Sequence, residues 1–143
     1  QQNMTTILNH LYDYETSLSP SDFSEAAERL LTRQQRRALV IVLTNLRSED
    51  AGDVVPALRT IQRRHLVMLV SLRENAVHSA IEKPVETFDD ALLHGAANYY
   101  LEERKRIFEE LSAHGIITVD EIAKHLSVAL TNAYLEAKRS GRL

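Results

Sequence analysis

Three stretches of the chain are apolar without alternation. "ALVIVL" (38–43) and "LVMLVSL" (66–72) are β-branched or aliphatic almost throughout, and a weaker "GIITV" (115–119) begins on a glycine. A strand with one wet face alternates apolar and polar residues. A continuous run instead suits a strand covered on both faces, as in a parallel sheet between helices. The pattern therefore predicts strands at these three places.

Between them the period shifts towards 3.6. Phe23, Ala26, Ala27, Leu30 and Leu31 share a face, Ser21 or Asp22 can cap the start, and Glu25 is placed to close a capping box. Val54, Val55, Leu58 and Ile61 form a second stripe, in which Pro56 fits only if it lies in the first turn. Ala76, Val77, Ala80 and Ile81 predict a short helix stopped by Lys83-Pro84. Thr87, with Asp90 three residues on, opens a long helix that Gly115 ends. Its buried side reads as Leu92, Ala96, Tyr99 or Tyr100, Ile107, Phe108 and Leu111. A last helix starts at Asp120 or Ser127 and runs to Arg139, and residues 3–14 read as the end of another helix.

This order of helices and strands predicts an α/β layered domain with a parallel sheet and right-handed crossovers. No internal repeat, low-complexity tract or Gly/Ser linker interrupts it, so residues 1–143 read as a single domain. About three strands are few for this architecture, because a doubly wound sheet has five or six. Together with a chain that opens on Gln1 rather than Met, this gives the expectation that N-terminal strands lie outside the 143 residues.

Composition narrows the class further. The chain is 44% hydrophobic and 26% charged, as folded domains are, and it has no cysteine for a disulfide or thiolate metal site. A net charge of −3 weighs against a nucleic-acid binder. The longest apolar run falls far short of the ~20 residues that cross a bilayer, so no membrane contact by this segment is expected.

Candidate chemistry is sparse. The six histidines form no His-x-x-x-His or His-Glu-x-x-His pair, and His65 and His114, just before strands, read as surface or junction residues. There is no Gly-x-Ser-x-Gly and no glycine-rich loop behind a strand; Ser48 and Ser71 read as a helix cap and a strand end. Glu102-Glu103 and Glu109-Glu110 are neighbours on a helix and point ~100° apart, so they cannot work as paired carboxylates. With Arg104, Lys105 and Arg106 they read as solvated ion pairs. "RQQRR" (33–37) and Arg63-Arg64 precede the two strongest strands and fall together at the N-terminal edge of the sheet. They read as neutralised helix C-termini, or as a basic rim for an acidic partner or lipid headgroups. No aromatic residues interleave with them, which weakens a nucleic-acid reading.

Three stretches carry a resemblance: "SDFSEAAERLLTRQQRRALVIVLTNLRSED", "PALRTIQRRHLVMLVSLRE" and "ALTNAYLEAKRSGRL". Over about Leu11 to Leu143 the chain resembles the C-terminal half of the von Willebrand factor A-like domain in the bacterial domain of unknown function 58 family. Those proteins are often encoded beside MoxR-type AAA+ ATPases. The resemblance implies a Rossmann-like sheet whose last three strands are the visible ones. It also implies a cytoplasmic domain of a membrane-anchored protein, and a role in assembly or metal insertion with the neighbouring ATPase.

Von Willebrand A domains often hold Mg²⁺ on an Asp-x-Ser-x-Ser loop, a Thr and an Asp. The loop is absent here, the Thr position falls near Ser21 or Asp22, and the Asp position falls on Asn45, after Thr44. Asparagine can ligate through its carbonyl but brings no charge. The expectation is a degenerate metal-site corner (Ser21, Asp22, Thr44, Asn45) with no cofactor, Mg²⁺ being possible only in an intact full-length domain.

The leading expectation is a protein-interaction domain, not an enzyme, that uses the C-terminal ends of the strands with Asn45 and Arg47 as partner-binding residues. Open parallel sheets bind ligands at that edge. The competing readings are a Mg²⁺-dependent hydrolase, for which only Asp22 and Asp50 are at hand, and a nucleic-acid module. A strand at 38–43 lacking a neighbour also predicts self-association, as a homodimer.

Overall fold

The computed structural model describes residues 2–12 and 21–143. Each apolar run is a strand: β1 (Leu39–Thr44), β2 (Leu66–Arg73) and β3 (Ile117–Ile122). They form a parallel sheet in the order β1-β2-β3. The helices are α1 (Gln2–Tyr12), α2 (Phe23–Arg33), α3 (Ala51–Gln62), α4 (Asn75–Glu82), α5 (Phe88–Ala113) and α6 (Ala123–Arg139), and a 3₁₀ turn, Ser48–Asp50, leads into α3. The fold is the expected α/β sheet of three parallel strands flanked by helices. Residues 13 and 14 of the predicted first helix lie outside the described residues, and the apolar side chains Met4, Ile7, Leu8 and Leu11 of α1 are exposed.

The absence of alternation in β2 has the anticipated cause. Val67 and Leu69 face one helical layer with Val54, Leu58, Ile107 and Leu111, while Met68 and Val70 face the other with Leu126 and Leu130. β1 is covered on the second face only at its start, where Leu39 packs with Leu126 and Leu130 against Met68 and Val70. Val40 and Val42 pack into the first layer, whereas Ile41 and Leu43, on the face where α6 covers β2 and β3, are 44% and 65% exposed.

Local signals set most boundaries. Asp22 caps α2 by accepting from the Glu25 amide at 2.8 Å; the capping box does not close, because the Glu25 carboxylate turns to Arg29. Thr87 and Asp90 form the full reciprocal box at the start of α5. At its end Gly115, at φ +81°, lets the Ile116 amide reach back to the Leu111 carbonyl. That turn uses Gly115 and Ile116, so β3 begins at Ile117, later than the apolar run suggested. Because β3 continues to Ile122, α6 starts at Ala123 rather than at Asp120 or Ser127.

Two expectations about the helices are corrected. Pro56 lies in the second turn of α3, where the carbonyl that its ring faces is that of Gly52. The buried side of α5 also rotates along its length. Ile107, Phe108 and Leu111 are buried as read, but in the first half the inward line is Asp90, His94, Ala97 and Leu101, while Leu92, Ala96 and Tyr99 point out. The reason is the neighbour. The second half of α5 lies on the sheet, whereas α4 packs beside its start, where Lys83 pairs with Asp90.

Candidate functional site

Parallel register aligns three polar residues in one row: Thr44 beside Ser71, and Ser71 beside Asp120. They sit near the C-terminal ends of the strands, on the face covered by α5. Over the row lies Arg104, a guanidinium only 2% exposed. It donates to both carboxylate oxygens of Asp120 (2.8–3.2 Å), to the Ser71 hydroxyl at 2.6 Å, to the Leu46 carbonyl and to the Tyr100 hydroxyl at 3.3 Å. Ser71 in turn accepts from the Leu46 amide at 3.1 Å. Arg104 also stacks 5.4 Å from the centroid of Phe108. Burial works against its charge, but the hydrogen bond and charge of Asp120 more than offset this, so the guanidinium stays above its ordinary value.

Two readings are corrected by this cluster, and a third, for His65, at the other end of the strands. Arg104 is not part of a solvated i,i+4 pair but a buried clamp that joins α5 to all three strand ends. Ser71 is more than a strand end, since its hydroxyl bridges Arg104 and Leu46. His65 is a junction residue but not a surface one: it is 3% exposed, and its Nδ1 accepts from the Ala38 amide at 3.3 Å. A signal for Arg104 was present, because it stands four residues after Tyr100 and three before Ile107 on the inward line of α5. The Arg-Lys-Arg run around it hid that phase. Glu103 with Arg106 and Lys105 with Glu109 are the exposed pairs expected.

Beyond the row, the expected corner assembles in part. A cleft of about 420 Å³ brings together Ser21, Thr44, Asn45 and Arg47 with Asp50, Asp53 and Glu74. Asp22 lies in the adjoining hollow with Ser21 and Asp53, its carboxylate engaged as the α2 cap. The Asn45 amide donates to Glu74 Oε1 at 2.9 Å, fixing the end of β1 to the start of α4. Arg47 contacts Glu49 at 2.8 Å and grips Asp50 through Nε and a terminal nitrogen. The hydrogen bond from Arg47 is the main reason that the Asp50 carboxyl lies below its usual range, and Asp50 in turn raises Arg47.

These bonds decide what the corner can hold. A hard divalent ion needs several oxygens free to converge on one point. Asp22 is committed to a helix end and Asp50 to a guanidinium, while Asn45 offers only a neutral carbonyl. Among the described residues no three His, Asp or Glu side chains are grouped to hold a metal ion. The donor set at Ser21, Asp22, Thr44 and Asn45 does not fit a Mg²⁺ centre.

Residues 1–81, more than half of the chain, match the family described as "Protein of unknown function DUF58". The chain belongs to that family. No curated protein and no solved structure matches it. In this DUF58 chain the matched segment runs through β1, β2 and most of α4, so it contains the whole corner. The clamp residues Arg104 and Asp120 lie beyond it. No described helix is long and apolar enough to cross a membrane.

Proposed function

We propose that this chain is a protein-interaction module of an assembly factor, and that it contacts its partner through the corner cleft at the C-terminal ends of the strands. The observation that carries the reading is how the polar groups of the cleft are used. Asn45 is paired with Glu74 and Arg47 with Asp50, on a frame that Arg104 fixes through the Leu46 carbonyl. Such an arrangement presents a preorganised hydrogen-bonding surface, and rigid surfaces lose little entropy on binding. The cleft holds more carboxylates than guanidinium groups, so the matching surface is polar and basic.

The finer resemblance to a von Willebrand A-like domain supplies the partner class, a MoxR-type AAA+ ATPase, and the setting, the cytoplasmic part of a membrane-anchored bacterial protein. A hydrolytic role would need free carboxylates converging at the cleft, and Asp22, Asp50 and Glu74 are engaged with a helix end, Arg47 and Asn45. The test is isothermal titration of the chain into a purified MoxR-type ATPase. Asn45→Ala and Arg47→Glu are expected to weaken binding about tenfold, or ~1.4 kcal/mol. No binding by the wild type, or variants that bind equally well, would overturn the reading.

A further inference from the structure

Four helices, α2, α3, α5 and α6, end where the strands begin, and cations gather there. Arg33, Arg36 and Arg37 precede β1, and Arg63 and Arg64 precede β2. The chain after α6 returns to the same end. Arg37 donates to the Arg142 carbonyl at 3.1 Å, and Arg142 donates to the Gly115 carbonyl, just before β3, at 2.7 Å. Lys138, Arg139 and Arg142 therefore join the arginines of the two loops. All eight side chains are exposed.

The last two turns of the four helices and the loops beyond them hold ten cations and four acids (Glu28, Glu109, Glu110 and Glu136), so this end is +6 in a chain of −3. Nine of the 17 Lys and Arg side chains form no ion pair among the described residues. Eight of the nine are the ones gathered here; the ninth, Lys124, stands at the other end of α6. Neutralising helix ends accounts for a minor part of this charge. A helix C-terminus carries about half a unit of negative charge, so four of them offset about two. Of the eight cations, only Arg37 and Arg142 reach a carbonyl, and neither acceptor lies in a helix.

We infer that this end of the sheet docks an acidic segment of another protein. Clustered guanidinium groups suit carboxylates, which they hold with paired donors. Beside Arg142 a cavity of about 350 Å³, walled in part by Ile116, Ile117, Ala133 and Ala137, gives such a segment a seat for one apolar side chain. A bilayer surface or a phosphate backbone leaves that seat unused, and no Phe, Tyr or Trp lies in these loops to stack a base. A second copy of this chain is a poor match, because its acidic groups carry cations of their own: Arg47 in the corner cleft, Lys83 beside Asp90 and Arg106 beside Glu103. The proposal rests on residues at the opposite end of the strands from the corner cleft and does not depend on the function proposed for it.

The experiment is an NMR titration of the whole chain with a short synthetic peptide of Glu and Asp around a central Leu. Saturable shifts are expected at residues 33–38, 62–66, 112–118 and 133–143, and none in the corner cleft. Arg36→Glu and Arg64→Glu should each weaken binding about fivefold or more, whereas Lys124→Glu, an equal change of charge, should weaken it less than about twofold. Exchanging the Leu of the peptide for Ser should cost about threefold, and added salt should weaken binding further. All three chain positions are exposed and unpaired, so the fold should tolerate the changes, and an unchanged spectrum for the sheet residues checks this. Equal losses from the three charge reversals would show attraction by net charge alone and overturn the proposal, as would equal binding of the Leu and Ser peptides. So would the absence of saturable binding, tighter binding of phosphatidylglycerol vesicles or of a DNA duplex than of the peptide, or self-association of the free chain that Arg36→Glu abolishes.

Discussion

Arg104 is the residue on which the strand ends depend. An arginine this buried is tolerable only because each of its donors finds an acceptor, and removing one partner leaves either a bare charge or bare acceptors. Asp120→Asn is expected to destabilise the fold by about 3 kcal/mol, within the ~3–5 kcal/mol typical of broken buried pairs. Arg104→Lys should be nearly as harmful, since a point charge cannot reach Asp120, Ser71 and Leu46 together. Glu103→Gln, which breaks an exposed pair, should change stability by less than ~0.5 kcal/mol. Urea unfolding reads all three as shifts of midpoint at constant slope; an Asp120→Asn midpoint equal to that of Glu103→Gln would refute the clamp. Sequence alone could not reveal this cluster. Its members are 16 and 33 positions from Arg104, and what joins them is the parallel register, which no local pattern encodes. Ser21, Asn45 and Arg47 were legible because they flank the elements that position them, but the bonds that engage Asp22 and Asp50 were not.

At the scale of the elements, α5 behaves as two half-helices under one cap. Its far half is held by the sheet, and its near half depends on the Thr87–Asp90 box and the Lys83 contact. Lys83, then Thr87, hold the Asp90 carboxyl far below its usual range. A carboxyl depressed in the folded state contributes stability that is complete above its unfolded value, ~4, and is lost as the pH falls through the folded one. Acidification below pH ~4 is therefore expected to loosen the first turns of α5 before the sheet. Asp90→Asn should remove that part of the acid response, and Thr87→Ala should cost ~1 kcal/mol through the lost cap. Amide exchange across residues 88–97 measures both, and identical acid sensitivity in wild type and Asp90→Asn would contradict the assignment. The cap was plain in the sequence; the phase of the first half was not. Leu92 and Tyr99 share a helical face with good apolar spacing, and periodicity cannot tell a face that meets a sheet from one that meets water.

For the whole molecule, the decisive fact is an imbalance between the two sides of the sheet. One face is closed by α2, α3 and α5, whereas the other has α6 over β2, β3 and the start of β1. β1 thus combines, among the described residues, a backbone edge with no partner and two bare side chains, Ile41 and Leu43. A free parallel edge flanked by apolar surface is a template for another strand. The chain is expected to self-associate through it, with a sedimentation mass above 16.2 kDa at high micromolar concentration. A lysine on this edge repels a second copy of itself, so Leu43→Lys should restore the monomer. Leu92→Asp, on the exposed side of α5, should leave the association intact. A wild-type chain that stays monomeric throughout would mean that β1's edge is protected in solution. An association abolished by Leu92→Asp but not by Leu43→Lys would move the contact to the exposed side of α5. The paired variants thus separate the two bare surfaces, because each carries a substitution that the other should not feel.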